Sequence, residues 1–430
     1  NLFTYFDVEI PVKVEDEKKE TVEEIIPKYG LFRHQRDALI KIEDVLENDG
    51  GRVVLHMPTG SGKTRTAMNL AAKHLNREES LVLWLAHSEE LCEQAADEFQ
   101  KAWSFLGDRD VTMRRFYKSH EWEDTNDGII IAGLDKMWSY VKRTVTGLQW
   151  AASNISMVIF DEAHQSIAPT YELPIEIITT KNPRCKFLGL TATPGRTWKD
   201  ISEDERLSDF YNRKKVTLEV EGYNSPISYL VEEGYLSEPD FKELKYDGGP
   251  ELSLEEKRAV EESSDYNHDI LKELSKSGLR NSLILERIRK LVVNEGHQRV
   301  LVFAINVHHA RTLSTLLNFS GVRSDVVTGD TDQQMRARAI STFKEPGGEP
   351  MVLCNYGVLT TGFDAPRTSA AVIARPTKSL VLYSQMVGRV IRGPKVGGTD
   401  EAEIWTVVDT HLPGFNSLTD AFTNWEDVWG

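Results

Sequence analysis

The strand candidates in this chain are apolar on both faces. Residues 53–57, 81–86, 128–132, 157–160 and 186–190 form short, partly β-branched runs without in–out alternation. A strand of that kind needs cover on both sides, which is the habit of a parallel sheet under helices. Helical patterns lie between the runs, as at 63–75 and 89–103. A second series follows at 299–304, 324–328, 350–354, 370–374 and 403–408, again with helical stretches between. The alternation implies an α/β fold with two sheets. The length of 430 residues leaves room for two or three domains.

The loop after the first run reads Met57-Pro58-Thr59-Gly60-Ser61-Gly62-Lys63-Thr64. Gly60 and Gly62 let the backbone turn its N–H groups toward phosphate oxygens, and the helix that follows adds its dipole. Lys63 is placed to reach the β- and γ-phosphates of ATP, and the Thr64 hydroxyl to ligate Mg²⁺. The usual signature has glycine where this chain has Met57. Near residue 160 the sequence reads Val-Ile-Phe-Asp-Glu-Ala-His. Asp161 ends a buried run, where a magnesium-ordering carboxylate sits in nucleotide-binding loops. Glu162 is the candidate to orient and deprotonate an attacking water. His164 is expected to contact the 191–193 segment.

Gln385, Arg389 and Arg392 stand at i, i+4 and i+7, a spacing that predicts one helical face with a shared target. An arginine supplied to a phosphate from an opposite domain contributes roughly 10³–10⁵ in rate, so it ties hydrolysis to closure. The net charge of −16 argues against a general nucleic-acid coat but leaves room for a basic groove. Cys92, Cys185 and Cys354 are far apart in sequence, so the expectation is three small buried hydrophobes in a reducing cytoplasm. No apolar run approaches the ~18 residues of a membrane span. The N-terminus has no basic stretch before an apolar core, so no secretory leader is expected.

The segments LFRHQ (31–35), PTGSGKT (58–64), DEAH (161–164), TATPGR (191–196), TTGFDAP (360–366) and QMVGRVIR (385–392) occur in one order. Together they resemble a superfamily-two helicase of the DEAH-type branch, which contains restriction-enzyme motor subunits and excision-repair DNA helicases. The resemblance implies two tandem RecA-like domains with ATP in the cleft between them. In that pattern Gln35 would read the adenine, with Arg33 nearby. Thr191 and Thr193, with His164, would couple the site to domain motion. Gly362 and Asp364 would approach the nucleotide from the second domain. Gln385, Arg389 and Arg392 would face the γ-phosphate, Arg392 being the first choice of arginine finger and Arg389 the second. His87, Ser88, Ala132, Gly133 and Thr360 match stretches that contact a strand's phosphates. Arg114 and Arg115 are candidate extra cations, and Phe116, Tyr117, Trp138 and Tyr140 could stack on bases or pack internally.

The implied organisation is an acidic segment at 1–24, a first RecA-like domain at 25–215, a junction and charged helical segment at 216–295, and a second domain at 296–430. The implied function is an ATP-dependent motor on nucleic acid, DNA favoured over RNA. Protein partners are expected in a restriction, phage-defence or repair complex, and no membrane. An RNA helicase and an ATP-gated nucleic-acid sensor that switches a partner are the alternatives.

Overall fold

In the computed structural model the chain divides into two compact units, Asn1–Gly30 and Leu31–Gly430. The structure describes residues 22, 24–192, 201–218, 220, 222–223, 225–250, 252–262, 265–359 and 365–412. The expected site residues Thr193, Thr360, Gly362 and Asp364 lie outside them, as does the side chain of His164.

The second unit contains two sheets. The first is built from β1 Arg52–His56, β2 Leu81–Ala86, β3 Thr112–Phe116, β4 Gly128–Gly133, β5 Ile155–Asp161, β6 Lys186–Thr191 and β7 Lys215–Thr217. Its order is β3-β4-β2-β5-β6-β1-β7. The second is built from β8 Glu238–Tyr246, β9 Arg299–Phe303, β10 Ser324–Thr328, β11 Met351–Tyr356, β12 Ala370–Ile373 and β13 Glu401–Asp409. Its order is β10-β11-β9-β12-β13-β8. All described strand pairs are parallel. The apolar runs are the inner strands, apart from 324–328, which is β10 at an edge of the second sheet, and every residue of β2, β9 and β12 is buried. Val54, Leu83, Val158, Phe160 and Phe187 anchor one core, and Val300, Val302, Val352, Cys354 and Val372 the other. The fold is thus the expected pair of α/β domains in tandem.

Three strands escape the apolar pattern. β3 carries Arg114 and Arg115 side by side, β7 is three residues long, and β8 reads EPDFKELKY. All three are sheet edges, where one flank meets no further strand among the described residues. β8 falls inside the 216–295 segment that was expected to lead into the second domain. It pairs with β13 and so is part of the second sheet.

Candidate nucleotide site

Neighbouring strands gather the candidate groups. β5, β6 and β1 lie side by side, with Asp161 opposite Leu190 and His56 opposite Thr191. The loop after β1, the end of β5 and the end of β6 therefore share the carboxyl edge, where open α/β sheets bind ligands. Thr191 is buried, and its carbonyl accepts from Met57 N at 3.2 Å, tying β6 to the start of the loop.

The loop is held from inside and behind. Gly60 and Gly62 have φ of +91° and +94°, and Gly62 leads into the helix Lys63–Arg77. A β-carbon on Gly62 would strike the Gln35 amide. That amide donates from Nε2 to Ser61 O at 2.9 Å and accepts at Oε1 from Phe32 N at 3.0 Å. A His34 ring nitrogen lies 3.1 Å from the same Ser61 carbonyl. Gln35 thus braces the phosphate loop. Arg33 is exposed beside Asp37 at 3.9 Å, and the structure does not bring it to the loop. Ser61 Oγ donates to Pro58 O at 2.7 Å, closing the turn at its base.

Lys63 Nζ donates to Met57 O at 2.9 Å and Pro58 O at 3.2 Å. Burial pushes its ammonium down to about 8, opposed by the charges of Glu162 and Asp161. Burial pushes the Asp161 carboxyl up to about 7, Glu162 adds to that rise, and Lys63 and Arg389 oppose it. Glu162 has φ of +77°, a left-handed conformation that costs a non-glycine residue roughly 1–3 kcal/mol and clusters at functional sites. Two carboxylates and one lysine therefore meet in a poorly hydrated place.

The second domain completes the cluster. Gln385 Nε2 donates to Glu162 Oε1 at 3.1 Å, and Arg392 Nη1 donates to Gly60 O at 2.7 Å. Arg389 lies close enough for its charge to lower the pKa of both Lys63 and Asp161. The common helical face expected for these three is not what joins them. The helix Leu380–Val387 stops before Arg389, with Gly388 as its C-cap. Gly388 lies so close to Thr59 that a β-carbon there would overlap the Thr59 side chain. A turn pressed on the phosphate loop, rather than a continued helix, delivers the arginines.

The expected phosphate contacts divide. His87 is exposed just past β2, and Ser88 Oγ caps the helix Glu89–Leu106 by accepting from Leu91 N. Gly133 ends β4 and stands opposite Ala86, so these three positions gather at adjoining strand ends. Ala132 is fully buried. Arg114 and Arg115 are successive residues of a strand, so they project to opposite faces and cannot line one track. Arg114 pairs with Glu123 at 2.6 Å. Phe116 and Tyr117 are buried, and Phe116 meets the edges of Trp122 and Tyr140, so these rings pack internally. Sequence reasoning missed Gly388, Tyr235, Ser237 and Arg336. Arg336 bridges from the second domain to Glu90 at 3.0 Å. The Gly-Arg pair in QMVGRVIR was the one available signal, and it marks Gly388 alone.

Two parallel sheets, with a phosphate loop on one and arginines reaching from the other, define the class of tandem α/β nucleotide-dependent proteins. The family model described as type III restriction enzyme, res subunit matches residues 28–196, and that of the helicase conserved C-terminal domain matches residues 284–394. The putative ATP-dependent helicase IRC3 of Saccharomyces cerevisiae is 25% identical over 84% of this chain and 49% of its own length. The ATP-dependent DNA helicase uvsW of Enterobacteria phage T4 is 24% identical over 84% of this chain and 65% of its own. The chain thus spans about half of one relative and just under two thirds of the other. A fragment structure of a putative HsdR subunit of a type I restriction enzyme from Vibrio vulnificus superposes with a TM-score of 0.60 at 19% identity, covering 91% of this chain and 65% of that one. Dbp5 of S. cerevisiae bound to RNA and ADP BeF3 gives 0.58 at 16%, covering 93% of each. The chain belongs to the superfamily-two helicase and restriction-enzyme motor family. Among the described residues no helix is long and apolar enough to cross a membrane.

Proposed function

We propose that this chain is an ATP-dependent motor that moves along or unwinds nucleic acid, DNA before RNA. One observation carries the reading: Gln385 and Arg392 of the second domain reach Glu162 and Gly60 of the first. Lys63 and the loop amides bind the β- and γ-phosphates. Glu162 positions and deprotonates water, and Arg392, seconded by Arg389, offsets charge that develops on the γ-phosphate. The Thr64 hydroxyl and the Asp161 carboxylate are hard oxygen donors, the set that suits Mg²⁺. Bound there, the metal would neutralise phosphate charge.

Closure of the cleft assembles both halves of the site, so turnover follows domain motion, and that motion moves a polymer held across both domains. The ends of β2 and β4, with His87, Ser88 and Gly133, are our choice for the first domain's phosphate contacts. We divide the work between residues 25–215 and the second sheet, with β8 assigned to the latter. DNA is favoured because relatives include a phage DNA helicase and type I restriction subunits. By the same analogy the chain works with protein partners, and the three buried thiols suit the cytoplasm.

The test is ATP turnover with matched DNA and RNA, single-stranded and duplex. DNA should raise it most, and turnover that neither polymer changes would sink the reading. Lys63→Ala is expected to abolish turnover. Glu162→Gln should lower it by at least about 10² while ATP still binds; loss of binding in a titration would contradict the role given to Glu162.

A further inference from the structure

The turn that carries Arg392 is held by a segment that precedes the second sheet in sequence. Arg392 lies outside any helix or strand, yet among the described residues its carbonyl accepts from two donors. Thr399 N lies at 2.9 Å and Ser237 Oγ at 2.7 Å. Ser237 is fully buried, and its Oγ also lies 2.7 Å from Thr399 O. A single hydroxyl proton is therefore shared between carbonyls at the two ends of the 392–399 turn. The backbone adds to this: Gly393 N donates to Tyr235 O at 3.1 Å, and Lys395 N to Gly234 O at 2.9 Å. A β-carbon on Gly393 would strike Gly234 O, so the approach requires glycine.

The same short segment faces the first domain. The Tyr235 ring lies 4.6 Å from Phe32 and 4.8 Å from His34, beside the residues that brace Ser61. The side chain of Leu236 reaches Gly60, the residue whose carbonyl accepts from Arg392. Residues 234–237 thus touch the support of the phosphate loop on one side and the arginine turn on the other.

We propose that Ser237 is a positioning residue for Arg392, and that the 234–237 segment sets how far the guanidinium reaches over the phosphate loop. The proposal rests on the ATPase reading of this cleft and deepens it. Ser237→Ala removes one of two donors to the Arg392 carbonyl and leaves the first domain's phosphate contacts alone. Positioning acts on the transition state, so kcat should fall and ground-state binding should not.

The experiment uses the full chain with saturating DNA. It measures kcat, the KM for ATP, and the affinities for Mg·ADP and for Mg·ADP with aluminium fluoride, a transition-state mimic. In Ser237→Ala, kcat and the affinity for the mimic should both drop about tenfold, the effect of one lost hydrogen bond. KM and ADP affinity should stay within about twofold of wild type. Ser237→Thr keeps the hydroxyl, borders the small apolar cavity between Thr59, Ser237 and Ile391, and should rescue both losses. In an Arg392→Ala background, Ser237→Ala should cost nothing further in binding the mimic. Ser237→Cys, close in size with only a weak donor, carries the same test should the alanine variant not fold. Unchanged kcat and mimic affinity in these variants overturn the proposal, as does an equal loss in the Arg392→Ala background. A wild type without ATP turnover overturns the ATPase reading itself, which the wild-type control separates from a failure at Ser237.

Discussion

A β-carbon at position 388 would overlap the side chain of Thr59 and crowd the carbonyl of Ser384. Gly388 has ordinary helical φ, so its need for glycine comes from close approach between domains and not from backbone freedom. Gly388→Ala should therefore leave each domain folded and hold them slightly apart. Arg392 sits on Gly60 at 2.7 Å, and a misplacement of about 1 Å can cost about 10² in rate. The expected outcome is a kcat lowered by about that factor, with ATP affinity changed less than about threefold. Steady-state turnover beside an equilibrium nucleotide titration checks it, and wild-type turnover would mean that the domains need no such approach. Glu162 poses the converse problem. Its φ of +77° stores strain in the residue assigned to the water, and nothing in the string Asp-Glu-Ala-His announces that conformation.

The helix Val307–Phe319 shows how an element records conditions as well as packing. Asn306 caps it, and two residues inside it His309 is fully buried. His309 Nδ1 accepts from Ile305 N at 3.1 Å, so the ring proton sits on Nε2 and is donated to Asn281 Oδ1 at 3.0 Å. Burial, then the charge of Arg280, push this histidine down to about 3 from its ordinary 6.5. Between those values the unfolded chain binds a proton that the folded chain refuses. Stability should thus fall as pH drops from about 6.5 toward 3, by up to about 1.4 kcal/mol per pH unit from this group. His309→Gln should flatten that slope in denaturant titrations at pH ~5 and ~7, and an equal slope in both proteins would refute the assignment. Elements of this buried kind were legible in the sequence, because strands covered on both faces must be apolar along their whole length. β2 begins and ends where its apolar run does, and β9 and β12 end one residue short of theirs. β3, β7 and β8 were not legible, since an edge strand keeps polar residues and β7 is too short to show a period. The glycine loop and Asp161 were legible because chemistry restricts their residue types. Ser237 and Tyr235 were not, because their work is to hold a backbone carbonyl and to fill a gap, and many residue types can do either.

Across the whole molecule, the polar contacts between the domains are modest, and they stand beside the packing of Tyr235 on Phe32 and His34. Gln385 on Glu162 and Arg392 on Gly60 are hydrogen bonds, each worth roughly 0.5–3 kcal/mol net. The Arg336–Glu90 pair at 3.0 Å is partly exposed and worth at most about 1 kcal/mol. A ligand that touches both sides of this seam shifts the balance between open and closed forms by its differential affinity. The thiols permit a direct measurement. Cys92, Cys185 and Cys354 are buried with pKa values pushed up to about 12, so a maleimide should ignore them in the folded protein. Phe105 and Phe319 are exposed, one on each domain, so Phe105→Cys with Phe319→Cys gives two labelling sites for an energy-transfer pair. Mg·ADP with aluminium fluoride plus DNA should narrow the transfer distribution toward the closed form, and Mg·ADP alone should not. Arg336→Ala should broaden the nucleotide-free distribution while unfolding stability moves by less than about 1 kcal/mol. One transfer value shared by every state would describe a rigid pair of domains, and closure could then not be what joins hydrolysis to movement.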